Sequence, residues 1–129
     1  MKLQKTLSRL QRLHPKEIDL SLDRIKKLCK KLGNPQDNIK AISIVGTNGK
    51  QSTINAIFSI LKEAKIKCNV YTSPHIQKIN ERFIFNNNNL GDDELVDLFE
   101  KIEKTNEQNP LTFFEALTAC FFYKAAQYP

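Results

Sequence analysis

An α/β fold, a parallel sheet flanked by helices, is predicted by three observations. Ala41-Ile42-Ser43-Ile44-Val45 is a short, β-branched, apolar run and reads as a buried strand. A glycine-containing loop, Gly46-Thr47-Asn48-Gly49-Lys50-Gln51-Ser52, follows it directly, and an amphipathic helix carrying Ile54, Ile57, Phe58 and Leu61 runs from about Gln51 to Ala64. Cys68-Asn69-Val70-Tyr71 then reads as a second strand. Strand, loop, helix and strand make a βαβ unit, for which a parallel pair and a right-handed crossover are expected.

The rest of the chain supplies the flanking helices. Leu3, Leu7 and Leu10 recur at helical spacing from about Lys2 to Leu13, and His14-Pro15 ends that helix. Asp19 or Ser21 can cap a second helix with the stripe Leu22, Ile25, Leu28 and Leu32, stopped by Gly33 and the turn Asn34-Pro35. Ile79 to Phe85 is predicted to be extended, and Asn86-Asn87-Asn88-Asn89 to be a loop. Asp92 can cap a helix carrying Leu95, Leu98, Phe99 and Ile102. Thr112 can cap a last helix, rich in Phe and Ala, ending near Tyr128.

Composition narrows the class. A chain of 129 residues, 40% hydrophobic and 26% charged, suits one packed domain. No apolar run approaches the ~20 residues that span a bilayer, and the polar start lacks the apolar core of a secretion signal, so a cytoplasmic location without membrane association is expected. Cys29, Cys68 and Cys120 form neither a CxxC pair nor an even set, which argues against a disulfide framework or a zinc site. The net charge of +6 owes much to Lys26, Lys27, Lys30 and Lys31 on the polar side of the second helix. A solvated helix face explains them, and basic and aromatic residues are not interleaved on one face as a nucleic-acid groove requires.

The glycine loop carries the chemistry. A helix start presents unpaired N–H groups and the positive end of the helix dipole, a ready anion site. Gly46 and Gly49 permit backbone angles and close approach that side chains obstruct. Lys50 supplies a full positive charge for β- and γ-phosphates, while Ser52 and Thr53 offer hydroxyls near a magnesium ion. The general phosphate-loop pattern GxxxxGK[ST] is met imperfectly: Ile44 stands at its first glycine and Gln51 follows the lysine.

Four segments in one order resemble the folylpolyglutamate synthase/dihydrofolate synthase family of the Mur ligase superfamily. They are Ile18-Asp19-Leu20 with the helix to Gly33-Asn34-Pro35, Val45-Gly46-Thr47-Asn48-Gly49-Lys50 with Ser52, Tyr71-Thr72-Ser73-Pro74-His75 through Asn80-Glu81-Arg82, and Leu111-Thr112-Phe113-Phe114-Glu115-Ala116. The departure from the family pattern is Gln51, where the family has glycine.

The resemblance implies a set of roles. Gly46, Thr47, Asn48, Gly49, Lys50, Gln51 and Ser52 would hold ATP, with Lys50 as the catalytic residue. Ser73 is similar to the family's magnesium-binding serine. Glu17, Ile18, Asp19 and Leu20, together with Thr112, Phe113, Phe114 and Glu115, resemble the pterin-side substrate segments. A helix cap is the plain alternative for Asp19, core packing for the phenylalanines, and a Ser-Pro turn for Ser73; His75 and Arg82 are not assigned catalytic roles. The implied activity is ATP-dependent addition of L-glutamate to dihydropteroate or tetrahydrofolate through an acyl phosphate, with Mg2+ as cofactor, by an enzyme that is a monomer at full length. Residues 1–129 would then form an incomplete N-terminal part of a Mur-ligase-like ATPase domain, inactive alone, with the rest of that domain and a C-terminal domain lying beyond it. Alternatives are a non-catalytic nucleotide-binding module and another Mur-type amino-acid ligase.

Overall fold

The structure, a computed structural model, describes residues 2–13, 20–73 and 77–128. Five helices and a small sheet alternate along it: α1 (Lys2–Arg12), α2 (Asp23–Lys31), α3 (Lys50–Glu63), β1 (Val70–Tyr71), β2 (Phe83–Phe85), β3 (Asn88–Asn89), α4 (Asp92–Asn106) and α5 (Phe113–Ala125). Single 3-10 turns occupy Pro35–Asn38 and Ile79–Arg82.

The core forms where α4 and α5 meet α1, α2 and β2. Helix α4 contributes Leu95, Val96, Leu98, Phe99 and Ile102, all buried at helical spacing. The buried residues of α5 are mostly small, Ala116, Ala119, Cys120 and Ala125 beside Leu117. Thr112 caps α5 through a box in which its hydroxyl accepts from the Glu115 N–H at 3.1 Å and the Glu115 carboxylate accepts from the Thr112 N–H. Helix α1 buries Leu10 and is fastened to α4 by the paired bonds of Arg9 to Glu103 at 3.0 to 3.2 Å. Tyr71, Phe83, Phe85 and Phe121 form a closed cluster of four rings joining the sheet to α5, at centroid distances of 5.1 to 6.1 Å.

The four asparagines expected as a loop build a tight hairpin instead. Asn86 and Asn87 hold φ of 53° and 67°, the left-handed pair that a two-residue type I′ turn needs, and Asn88–Asn89 returns as β3. Asparagine tolerates these angles, and its amide replaces missing ladder bonds. The Cys68 N–H donates to Oδ1 of Asn87 at 2.9 Å, and the Asn86 N–H donates to Oδ1 of Asn69 at 2.8 Å.

The parallel pair predicted from the sequence is not formed within this stretch. The only sheet among the described residues is antiparallel, in the order β1-β2-β3 with Tyr71 opposite Phe83. Residues 41–45 join no ladder, and Ile42 and Val45 are 75% and 90% exposed. Helix α3 forms as expected but buries none of its residues. A parallel strand is stable only with a ladder neighbour and helices on both faces, and 41–45 pairs with no strand among the described residues. The predicted extended stretch 79–85 is likewise divided, a 3-10 turn over Ile79–Arg82 preceding the strand.

The three thiols are unpaired. Cys29 and Cys120 are buried and Cys68 is half-buried. Burial raises the pKa of each and holds that of Cys120 well above the ordinary thiol value. Brief alkylation of the native chain is expected to label Cys68 and to spare Cys29 and Cys120 until denaturant is added. Labelling of Cys120 at the same rate as Cys68 in peptide mapping would contradict this packing.

Candidate functional site

The glycine loop lies on the surface at the start of α3. Gly46 has φ +150° and Gly49 φ +77°, both in the region that side chains disfavour. Gly49 is the N-cap residue, and its carbonyl accepts the Thr53 N–H at 3.0 Å and the Thr53 hydroxyl at 2.8 Å. The N–H groups of Lys50, Gln51 and Ser52 have no backbone acceptor among the described residues, as the first turn of a helix dictates. Lys50 is exposed at this dipole end, and no acidic residue stands in the first turn. Three free donors, a lysine and an absence of carboxylates fit a polyphosphate with its metal. Thr53 is committed to Gly49, which leaves Thr47 and Ser52 as the hydroxyls at the loop without a hydrogen bond to the described residues.

Gln51 departs from the family pattern without closing the loop. Its side-chain amide donates to Oδ1 of Asn55 one turn on at 3.0 Å, so it lies along the outside of α3. What the position offers the loop is its backbone N–H, which a glycine would offer equally.

A second cluster gathers the segment after β1 and the start of α5. Tyr71 stacks on Phe114 at 6.1 Å with planes 23° apart, and its hydroxyl meets that of Thr118 at 3.1 Å. Burial is the main reason its phenol pKa is raised. The adjacent phenylalanines separate here: Phe113 packs against the core, while Phe114 is 53% exposed with Tyr71 behind it. Ser73 is exposed two residues beyond Tyr71. Leu20, 90% exposed, lies just before α2, whose Arg24 reaches the same cluster. Glu17, Ile18 and Asp19 lie outside the described residues, as do His14, Pro15, Pro74 and His75.

Glu115 is already bound within the protein. Arg24 Nε donates to both of its carboxylate oxygens at 3.1 Å, and Nη2 donates to one of them at 2.7 Å, with both side chains about 13 to 14% exposed. The sequence reading missed Arg24, hidden among the lysines of α2. Its signal was that it is the one arginine there, the residue suited to a bidentate carboxylate. The ion pair ties α2, and so the end of the Glu17 to Leu20 segment, to the Thr112 to Glu115 segment. No hydrogen bond, ion pair or ring contact joins either segment to the glycine loop among the described residues.

Comparison with known proteins gives this arrangement its family. The chain is 36% identical over 123 residues to dihydrofolate synthase/folylpolyglutamate synthase of Escherichia coli, covering 94% of this chain and 29% of that protein. It is 38% identical over 114 residues to the Bacillus subtilis protein of the same name, covering 83% and 26%. This stretch of chain belongs to the dihydrofolate synthase/folylpolyglutamate synthase family. The fold agrees: the crystal structure of the bifunctional Yersinia pestis enzyme superposes with a TM-score of 0.87 at 31% identity, over 97% of this chain and 31% of that one. Escherichia coli FolC in complex with DHPP and ADP superposes with a TM-score of 0.81 at 33% identity, over 97% of this chain and 30% of that one. A further Yersinia pestis structure, complexed with AMPPNP and Mn ion, gives 0.81 at 32% identity. The α/β, Mur-ligase-like class predicted from the sequence therefore holds, although its parallel sheet is not assembled by these residues alone. No family model matches the sequence. The chain spans under a third of the length of these relatives.

Proposed function

We propose that this chain is the N-terminal part of the ATPase domain of a ligase that joins L-glutamate to dihydropteroate or tetrahydrofolate at the expense of ATP. The observation that carries this reading is the loop at Gly46 to Ser52, with its free N–H groups and Lys50, in a chain of this family. Gly46 to Ser52 hold the phosphates of ATP, and Lys50 neutralises charge on the transferred phosphoryl group. A magnesium ion, held with help from Ser73, would neutralise further charge there. Phosphorylation of the pteroate or folate carboxylate gives an acyl phosphate, which the glutamate amine attacks with loss of phosphate.

Phe114, backed by Tyr71, is the open aromatic face for the flat pterin ring; Glu17, Ile18, Asp19 and Leu20 are assigned to the same substrate by family resemblance. Glu115 serves this end chiefly by holding the start of α5, because Arg24 occupies both of its oxygens. Residues beyond this stretch supply the strands that cover 41–45 and α3, together with a C-terminal domain. The complete enzyme works as a cytoplasmic monomer without nucleic acid or membrane. Among the described residues no helix is long and apolar enough to cross a membrane.

The test is product analysis. The full-length protein, given magnesium ATP, L-glutamate and dihydropteroate or tetrahydrofolate, is expected to release ADP and a product heavier by one glutamyl unit. Absence of glutamylated product with both acceptors sinks the reading. The 129-residue chain alone is expected to give no turnover, and turnover by it would refute its incompleteness.

A further inference from the structure

We infer that Asn48 is a site of spontaneous covalent modification, where the side-chain amide is lost to the backbone nitrogen of Gly49 and a carboxylate is left in the glycine loop. Asn48 is the one asparagine in the sequence followed by glycine. The attacking nitrogen therefore carries no neighbouring Cβ to obstruct its approach. The Asn48 side chain is exposed and makes no hydrogen bond with the described residues. The Gly49 N–H is equally free of a backbone acceptor among them. Other asparagines are restrained: Asn69 accepts from the Asn86 N–H, Asn80 donates to the Leu90 carbonyl, and Asn106 and Asn109 bind each other's carbonyls.

The surroundings also favour the step. Gly49 caps α3, so the positive end of the helix dipole and the adjacent Lys50 stabilise the amide anion that must form. The Gly49 nitrogen gives its proton to solvent base and bonds to Cγ of Asn48. The bond from Cγ to the side-chain nitrogen breaks, and ammonia leaves with a proton from water. The resulting five-membered succinimide is opened by water at either carbonyl, giving aspartate or isoaspartate. No oxidant or reductant takes part. The new carboxylate opposes the charge of Lys50; its effect on nucleotide rests on the phosphate-binding reading proposed above.

The experiment uses the full-length protein, held folded at mildly alkaline pH and sampled over days by peptide mapping. Exchange of amide for acid, with isoaspartate, is expected at Asn48 first, faster as pH rises, while peptides bearing Asn55 and Asn69 keep their amides. Retention of the Asn48 amide for as long as that of Asn55 overturns the inference. Gly49→Ala is expected to suppress the reaction, and an unchanged rate in a variant whose circular dichroism is native overturns it too. The parent chain decides the matter should that variant not fold. Protection of Asn48 by magnesium ATP bears on the nucleotide reading: amide loss that ATP fails to slow upholds the modification site and counts against that reading alone.

Discussion

Lys50→Ala in the full-length protein is expected to lower the rate of glutamate addition by about 100-fold or more, the scale seen when one preorganised charge donor at a transition state is removed. The loss should fall mainly on kcat. The free N–H groups of Lys50, Gln51 and Ser52 survive the change, so ground-state grip on the phosphates is only partly reduced. Gln51→Gly is the contrasting variant. Gln51 bonds Asn55 on the outside of α3, so restoring the family's glycine removes a surface contact and adds backbone freedom. Its expected result is a loss of ~1 kcal/mol in helix stability with little change in kcat. A Lys50→Ala enzyme within a few fold of the parent would show that this loop does not face the reacting phosphoryl group, and a large rate gain from Gln51→Gly would show that the Gln51 side chain obstructs the loop instead of lying outside it.

The loop and the capped helices were legible because their signals are local. Thr112 with Glu115 three residues on spells a capping box, and the box is present. Gly49 before Lys50 spells a helix start, and α3 starts there. Residues 41–45 show the limit of a local signal. Their apolar, β-branched pattern describes a strand in a buried sheet, but pattern alone does not say which residues provide the neighbours. The hairpin at Asn86 and Asn87 was missed for a related reason. Its turn lacks the usual Asn-Gly pair, and its stability draws on amides exchanged with Cys68 and Asn69. The division of labour between Phe113 and Phe114 was likewise invisible, because adjacent positions at a helix start face different ways and only the packing shows that Phe113 meets the core while Phe114 stays exposed beside Tyr71.

Arg24 and Glu115 lie 91 residues apart in sequence, and breaking their pair is expected to be the most damaging polar change in the chain. Both side chains are largely withdrawn from water, so removal of one takes from the other the opposite charge that it grips through paired bonds. Glu115→Gln or Arg24→Met should each cost about 3 kcal/mol, a large share of the few kcal/mol that hold a domain this size together. Glu115→Gln keeps a side-chain oxygen for the Thr112 N–H, so its loss isolates the charge from the cap. The double variant Arg24→Met with Glu115→Gln removes both charges and should be more stable than the sum of the single losses predicts. Urea unfolding at constant slope measures all three, and the coupling energy is their non-additive part. Strictly additive losses below ~0.5 kcal/mol each would place the pair in the class of exposed, weakly coupled ions. The same variants carry a functional consequence under the proposed reading. The pair joins α2 to the start of α5, so loosening it lets Phe114 drift from Tyr71. In the full-length enzyme that should raise KM for the pterin substrate and leave KM for ATP unchanged.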